Sequence, residues 1–551
     1  MAFDFGATAA EWHVLIEVAL DGGTVYYADE DLVMDDGTAY EGRILSIPVL
    51  QLSAGQVLDP RIVAPQFVIG LSDADSVVRD STDSEQWGNR IVTLRIGQGT
   101  DLTVYEAPFT GVVRFPGGIE WDATITRVSV DDLRSRDAKS LPTATLDPDT
   151  YTNMETKSEY QPEPLLYGDW RTTAGGGERV PAYQIDSTAG SEGKFSIAGH
   201  ALKEIEKVWQ DENDGTALVD ITAKCTMDAA NGQFTIISAL TTTYDPDLHT
   251  ISANVQGATD DGLTSGTMLQ TMPAIMNDIL QTHLGVVSGD VDATAIAQWE
   301  TELGATDYVR RWVGRATSSD DLLRDLLVDG FADLTIEGGA YKPVYRVFQA
   351  GAGLTTITTS DIRERNDGAA DFRVKKDPER AFLNEVVGDY RHNPMTSAYL
   401  KSYTNTNSGS VASVGATKRR RLTYKWRYIQ ASAEIRSNRE LYMFSSEPEM
   451  AQVRLDPIGL QYAPTEQFVL QHDKYVDVPW QVRTITLDLI GKTAFAQCLN
   501  IMLLTTGAWA SSSAPVYTLS TSLQQAENGF WTNAIGEADT GDASSAGSIW
   551  F

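Results

Sequence analysis

Cysteine is almost missing from this sequence. Cys225 and Cys498 are the only two in 551 residues. That excludes a disulfide framework and any metal site built from cysteines alone within one chain. Both read as buried free thiols. Histidine is scarce as well. His13, His200, His249, His283, His392 and His472 include no two at metal-ligand spacing, which excludes a zincin-type centre. No apolar run approaches the roughly 18–20 residues that a membrane-spanning helix needs. Met1-Ala2-Phe3-Asp4-Phe5 has neither the basic start nor the apolar stretch of a secretory signal, so the chain is expected to fold in a cytoplasm. Positive charge is the last shortage. Lys and Arg total 43 against 76 Asp and Glu, a net charge of −33. A chain that grips nucleic acid must neutralise phosphates, and this balance argues against it. An acidic surface suits a soluble particle component, or a channel wall that DNA passes without sticking.

Chemical motifs are equally thin. There is no phosphate loop with its lysine and no dinucleotide glycine fingerprint, and Gly175-Gly176-Gly177 follows no clear strand. Asp73-Ala74-Asp75 and Asp29-Glu30-Asp31 do not continue into a calcium loop and read as solvated turn acids. His472-Asp473 offers half of a base–orienter pair, but no Gly-x-Ser-x-Gly elbow completes a triad. With 76 carboxylates, no glycosidase-like pair can be singled out by position. The expectation is a chain with no catalytic residue, no metal and no cofactor.

What is present is mostly β pattern. His13–Leu20 and Thr24–Tyr27 flank Asp21-Gly22-Gly23, which predicts a hairpin. Ile91–Ile96 and Leu102–Tyr105 flank Gly97-Gln98-Gly99, and Phe109–Phe115 and Trp121–Val130 flank Pro116-Gly117-Gly118. Short strands with regular turn punctuation indicate a sandwich or barrel. Tyr160 to Trp170, with Pro162 and Pro164, reads as a boundary. A small β-rich unit follows to about residue 255. Residues 266–330 are helical: Met268, Met272, Ile275, Met276, Ile279 and Leu280 share a three/four spacing. Ser318-Ser319-Asp320-Asp321 caps a second helix, Leu322–Val328, which Gly330 ends. Strands return after Gly338-Gly339, including Asn384–Arg391, Phe468–Gln471 and Trp480–Leu489. Between them Ala433–Phe444 reads as a helix with Ile435, Leu441 and Phe444 near one face.

The expected fold is therefore mainly β with an α+β insertion. It has a β-barrel unit over 1–165, a small β domain over 166–255, an α/β insertion over 256–375, a second barrel over 376–505 and an arm over 506–551. The arm is rich in Ser, Ala and Gly, yet it carries Trp509, Tyr517, Phe530, Trp531, Trp550 and Phe551. Large aromatics anchor interfaces, so Phe530, Trp531, Trp550 and Phe551 are interface candidates. So is the one basic cluster, Lys418-Arg419-Arg420-Arg421 with Lys425 and Arg427, interleaved with Tyr424, Trp426 and Tyr428. Stacking on single-stranded nucleic acid is one use of such a pattern. In so acidic a chain, contact with an acidic neighbour is the more economical one.

Three stretches resemble the tail hub proteins of long-tailed phages and gene transfer agents. The first is Tyr27-Ala28-Asp29-Glu30-Asp31-Leu32 followed by Thr38-Ala39-Tyr40-Glu41-Gly42-Arg43-Ile44. The second runs from Ile275-Met276-Asn277-Asp278-Ile279-Leu280 through Leu284-Gly285-Val286 and Asp292 to Ser319-Asp320-Asp321-Leu322-Leu323. The third is Ala433–Phe444 with Gln467-Phe468-Val469-Leu470 and Trp480–Lys492. Together they span most of residues 10–495, and their order carries the likeness. The chain departs from the pattern at Glu466-Gln467, where hubs carry a Gly-Asp strand entry. The resemblance implies a virion protein of a phage tail, assembled in the host cytoplasm as a ring, usually a trimer. Two tube-like barrels per chain would face the tail tube and line the DNA exit path. Partners would be tail tube or distal tail proteins and tip or fibre proteins, with genomic DNA only in transit. It implies no catalytic residue. Two rival readings are a receptor- or glycan-binding tail protein, for which 12 Trp and 21 Tyr would supply stacking surfaces, and a cell-wall hydrolase of the tail tip. Glycan-array binding would mark the first and zymogram activity the second.

The arm generates the first prediction. A segment of this composition buries too little apolar surface by itself to offset its ordering entropy, so its aromatics are expected to dock elsewhere. Deleting 506–551 is expected to leave a folded protein that assembles poorly into particles, measured as particle yield against the intact chain.

Overall fold

The computed structural model describes residues 12–501 except 48, 56–65, 174–177, 214–217, 305–306, 347–353, 377–379, 473–474, 490 and 492. The protein is mainly β, built from several sheets with a few helices, and multidomain. Trp12–Leu20 and Gly23–Ala28 form the expected hairpin, in register from Leu20↔Gly23 to Leu15↔Ala28. Trp12–Leu20 also pairs with Ile91–Gln98, which pairs with Glu106–Val113, then Ile125–Asp132, Gln66–Ser72 and Ile44–Ser46. Alternation decides which side is core. Val14, Ile16 and Val18 are buried on one strand, and Val92, Leu94 and Ile96 on its neighbour.

Leu102–Tyr105 is not the strand that its composition suggested. Leu102–Val104 is a single 3-10 turn, because the Asp101 carboxylate accepts the Thr103 N–H and hydroxyl at 2.9 and 2.7 Å. A short acid that satisfies nearby backbone competes with ladder formation. The turn tucks the Tyr105 ring beneath Gly97, where a Cβ would approach the ring to 2.4 Å.

Residues 180–256 form two four-stranded sheets with a core of their own, in which Phe195 stacks on Phe234 at 5.3 Å. The helical stretch follows. Met272–Asp278 runs into a π-helical turn, Ile279–Leu284, and buries Met272, Ile275, Met276, Ile279 and Leu280 as the spacing required, whereas Met268 lies before the helix, half-buried and bridged to Thr259. Ala293–Leu303 is a helix that sequence reading missed; Asp292 caps it by accepting the Ala295 N–H. Ser319–Gly330 is capped by Ser318, whose hydroxyl accepts the Asp321 N–H at 3.1 Å. The helix closes one residue later than expected. Gly330 lies within it, and the left-handed position falls on Phe331, at φ 53°. The Trp299 indole packs against Gly330 and donates to its carbonyl at 3.1 Å, so that site has no room for a side chain.

The C-terminal sheet is ordered Thr355–Thr358, Gln467–His472, Tyr475–Asp488, Thr493–Asn500, Glu449–Leu455, Phe372–Lys376. Leu50–Ser53, from the N-terminal part of the chain, pairs with Tyr475–Asp488 within it. The two large sheets share one contiguous core, from Trp12 and Val14 to Trp480 and Cys498. Cys498 is buried as expected, whereas Cys225 is half-buried.

A three-stranded sheet, Ala398–Thr406, Glu385–Asn393, Arg419–Thr423, carries the helix Gln430–Phe444. That helix buries Leu441 and Phe444 as expected but not Ile435. Ile435 is exposed, while Arg436, Arg439 and Glu440 are buried. The Arg436 guanidinium lies 4.7 Å from the Phe331 ring, donates to the Val328 carbonyl at 2.8 Å and pairs with Glu440. Arg439 lies 5.2 Å from the Tyr345 ring. The core face thus mixes Ala433, Leu441, Met443 and Phe444 with cations on aromatic faces, and a count of apolar positions cannot see the cations.

Among the described residues, no helix is long and apolar enough to cross a membrane. The units are held together by buried charge. Asp333, on the hairpin Ala332–Glu337/Ala340–Tyr345, accepts from Arg346 at 2.7 and 3.0 Å and from Arg483 at 2.8 and 3.2 Å. Arg483 also donates to the Gly55 carbonyl at 3.2 Å. All three charged side chains are at most 2 % exposed. Removing one member of such a group leaves an unpaired buried charge, at about 3–5 kcal/mol. Asp333→Asn is therefore expected to lower stability by about 3–5 kcal/mol, read as a reduced denaturation midpoint. Asp36→Asn, at an exposed turn, is expected to leave the midpoint unchanged.

Candidate interface

The basic cluster lies on and just after the edge strand Arg419–Thr423, which runs parallel to Glu385–Asn393 in the register Glu385↔Arg419, Val386↔Arg420, Val387↔Arg421. Its start is fixed by Asn384, whose side-chain oxygen accepts the Lys418 N–H at 2.6 Å and whose amide donates to the Ala416 carbonyl at 3.0 Å. Arg419 and Arg421 share one face. Arg419 pairs with Glu385, and Arg421 pairs with Asp389 at 2.5 and 2.9 Å. The carboxylates lie inside and the guanidiniums outside: the arginine side chains are 65 % and 71 % exposed, their partners 11 % and 13 %. Arg419 holds the Glu385 carboxyl below its ordinary value. Arg420 points to the other face and is exposed; burial raises the Glu440 carboxyl above its ordinary value, against the opposing pull of Arg436 and Arg420. The strand thus presents a row of cations on a sheet edge, two of them already matched by carboxylates.

The interleaved aromatics are not on that surface. Trp426 is fully buried in the helical core, 6.1 Å from the Tyr167 ring. Tyr424 is buried against Gly388, and Tyr428 lies under the Arg310 guanidinium at 4.3 Å. With these rings inside, the base-stacking surface that single-stranded nucleic acid requires is not formed by this cluster. Trp426 instead acts by holding the strand in place. Phe530, Trp531, Trp550 and Phe551 lie outside the described residues.

The anchor beneath the strand comes from the helix Ser319–Gly330, whose Asp325 and Asp329 are one turn apart. Asp325 receives the Lys425 ammonium at 2.7 and 2.9 Å, and Asp329 accepts the Trp426 N–H at 2.7 Å. Arg427 donates to the Asp307 carboxylate at 2.8 Å and to the Asp329 carbonyl. Nothing in the sequence marked this acid pair as the partner of residues separated from it by a hundred positions. The i, i+4 spacing of acids on one helix was the available signal.

Solved structures resemble this fold. A 43 kDa tail protein of prophage MuSo2 from Shewanella oneidensis matches over 90 % of this chain and 99 % of its own, at 11 % identity and a TM-score of 0.40. A chain of a native gene transfer agent virion matches over 69 % of this chain and 92 % of its own, at 11 % identity and a TM-score of 0.39. A prophage tail protein from Listeria monocytogenes matches over 61 % of this chain and 94 % of its own, at 10 % identity and a TM-score of 0.26. All three are tail or virion structures. No protein-family model matches the sequence, and no curated protein does.

One enzyme-like constellation escaped sequence reading. The Tyr167 hydroxyl donates to Asp278 at 2.8 Å, and His283 lies 3.4 Å from the same carboxylate. Tyr167 is fully buried, and its burial together with the Asp278 charge pushes its hydroxyl well above the ordinary value. It ties the strand Leu165–Tyr167 to the helix Met272–Asp278, as a structural clamp would. Among the described residues, no group of three His, Cys, Asp or Glu is placed to hold a metal. The histidine singled out beside Asp473 is half-buried, its ring edge-on to Phe372 at 5.1 Å; the Thr359 hydroxyl lies 3.0 Å from its Nδ1.

The Asp329 carboxyl is raised to about 7 by burial, against the opposing pull of Arg427 and Arg436. An unfolded Asp ionises at about 4, so between there and about 7 the folded chain keeps a proton that the unfolded chain has lost. This contribution is complete below about 4 and is lost as pH rises through about 7. The thermal midpoint is expected to fall across that window, and Asp329→Asn to flatten the fall, measured by melting both proteins at about pH 5 and about pH 8.

Proposed function

We propose that this protein is a hub-type structural component of a phage tail tip or baseplate. It acts as a ring, read as a trimer, that joins the tail tube to the tip and lines the DNA exit path. The observation that supports this reading most is mechanical. Leu50–Ser53 is built into the C-terminal sheet, and both large sheets share one core. A piece that passes force between tube and tip requires that its two sheets do not hinge apart, and a shared strand together with a buried ion network provides that. The resemblance in the order of the sequence motifs supports the same reading.

Its partners are further copies of itself, tail tube or distal tail proteins, and tip or fibre proteins. The exposed edge Arg419–Thr423 is the proposed contact for an acidic neighbour. The arm over 506–551 is the proposed docking segment, with its aromatic pairs engaging an adjacent subunit or tail protein. The chain works in the virion and does no chemistry. Genomic DNA passes an acidic or neutral wall without being held.

Light scattering of the purified protein, alone and with its tail neighbours, is expected to give three chain masses. A single copy on the particle axis, or a ring of six copies, would overturn the trimer. Arg420→Glu is expected to reduce the assembled fraction, and added salt to loosen the unmodified ring, as an interface between exposed charges requires.

A further inference from the structure

A cleft opens where three parts of the chain meet. Its walls are the strand Glu106–Val113, the hairpin Ala332–Glu337/Ala340–Tyr345 and the turn that leads into Gln467–His472. An outer cavity of about 370 Å³ and an inner one of about 170 Å³ share Glu337, Gln461, Tyr462 and Glu466 as walls. The turn is fixed by its own bonds and by the sheet. The Ala463 N–H donates to the Glu466 carboxylate at 2.7 Å. The Thr465 N–H donates to the Val482 carbonyl at 2.7 Å, and the Gln481 amide donates to the Thr465 carbonyl at 3.1 Å. Thr465 is held at φ 80°, a left-handed position that a β-branched residue takes only under constraint.

Acceptors gather in this cleft with too few donors. Glu106, Glu337 and Glu466 line it. Lys342 pairs with Glu337, and at the inner end Arg134 donates to Asp132 at 2.7 and 2.9 Å. Among the described residues, Glu106 and Glu466 form no ion pair. Burial raises the Glu466 carboxyl above its ordinary value, against the Ala463 N–H, and the charges of Glu337 and Glu106 add to the rise. Tyr462 is 6 % exposed, and its hydroxyl, near Thr355 and Gln461, has no hydrogen-bond partner in good geometry. The side-chain oxygen of Gln467, on the wall of the outer cavity, is also buried without a partner. A buried polar atom left unpaired is costly, so two of them beside a half-buried carboxylate point to a donor group that completes the set.

The chemistry of that group follows from the acceptors. Among the described residues, the carboxylates are not placed to hold a metal as a set of three. An ammonium presents its donors from one point, whereas a guanidinium spreads them along a planar fork. Such a fork serves a carboxylate, an amide oxygen and a phenol oxygen side by side. We propose that the cleft is a binding site for an arginine side chain presented by a neighbouring chain, with its guanidinium between Glu466, Gln467 and Tyr462. Val344 and Leu354, on the same wall, take the apolar stem. Because the turn is fixed, the acceptors stand in place before the arginine arrives, which reduces the ordering that binding requires. The inference takes from the proposed function only that the chain has neighbours, since the site lies within one copy.

The test uses the full chain and N-acetylarginine amide as the probe, with saturation transfer from protein to ligand read by NMR. Transfer to the arginine side chain is expected. N-acetylcitrulline amide, of the same shape without the charge, is expected to receive none. Glu466→Gln keeps an acceptor for the Ala463 N–H and is expected to weaken arginine binding on the order of tenfold. Tyr462→Phe keeps the ring against Phe468 and is expected to weaken binding less, without lowering the melting midpoint. No transfer to the arginine probe, equal transfer to the citrulline probe, or arginine binding unchanged in either variant would overturn the proposal. These readings are the same for one copy as for three, so a monomeric mass in light scattering would remove the ring and leave the cleft standing.

Discussion

The carboxylate of Asp333 is the point on which the assembly of this chain depends. It sits between two guanidiniums, Arg346 from its own hairpin and Arg483 from the longest strand of the C-terminal sheet. Through Arg483 it is also linked to the segment at Ala54 and Gly55, whose carbonyls accept from the same guanidinium. Three regions distant in sequence thus converge on one dry group of charges. Burying ions is costly, and the attraction repays that cost only when every donor and acceptor finds a partner in good geometry. The group therefore discriminates more than it stabilises. A sheet that slipped in register, or a hairpin docked a few ångströms away, would leave a bare charge in the core. The Arg483 carbonyl accepts the Ala54 N–H at 2.9 Å, so backbone pairing and ion pairing set the same alignment.

The same design recurs wherever units meet. Glu178 takes Arg310 and Arg391, the one from the strand region near 311 and the other from Glu385–Asn393. Arg310 is further held between the Trp170 and Tyr428 rings, at 4.4 and 4.3 Å. Arg427 fastens Asp307 and the end of the helix Ser319–Gly330. Arginine suits these places because its planar fork satisfies several acceptors at once and its face stacks on aromatics. The buried arginines Arg310, Arg346, Arg427, Arg436, Arg439 and Arg483 are matched inside by buried acids such as Glu178, Asp329, Asp333 and Glu440, so the net charge of −33 is carried by the surface. Copies of such a chain repel one another except where cations remain outside, as on the edge strand Arg419–Thr423.

Local pattern made much of the β framework legible. The hairpin at Asp21-Gly22-Gly23 and the buried face of Met272 to Leu280 follow from period and turn chemistry alone, and both stand as read. The failures have one physical origin. Ile435 reads as core and Arg436 as surface only if burial follows polarity, whereas Phe331, Glu440 and Tyr345 make that face a place for guanidiniums. Trp426 reads as a stacking residue beside a basic run, but its backbone N–H is claimed by Asp329, from a helix nearly a hundred residues earlier. Leu102–Tyr105 reads as a strand until Asp101 takes its N–H groups. In each case a partner overrides a local tendency. At Leu102–Tyr105 that partner is the adjacent Asp101, which the local sequence did contain; for Arg436, Arg439 and Trp426 the overriding partners include Phe331, Tyr345 and Asp329, which no window of sequence contains. The strand exchange at Leu50–Ser53 belongs to the same class, since nothing in Leu-Gln-Leu-Ser points to residues near 485.

This bears on how the candidate interface is built. A cation on a free sheet edge is useful to a partner only if the edge itself does not move, because ordering long side chains offsets the gain from exposed pairs. Here the strand is fixed from below three times. Asn384 holds its start, Glu385 and Asp389 hold alternate arginines, and Asp325 and Asp329 hold the residues that follow. Exposed carboxylates in those positions would merely neutralise the edge. Placed almost wholly inside, they orient the guanidiniums outward while leaving the charged tips in water. The surface is thereby preorganised: its side-chain entropy is largely lost on folding, before any partner arrives. An acidic neighbour then gains the full alignment of the row, and a nucleic acid, lacking exposed rings to stack on, gains only the charge.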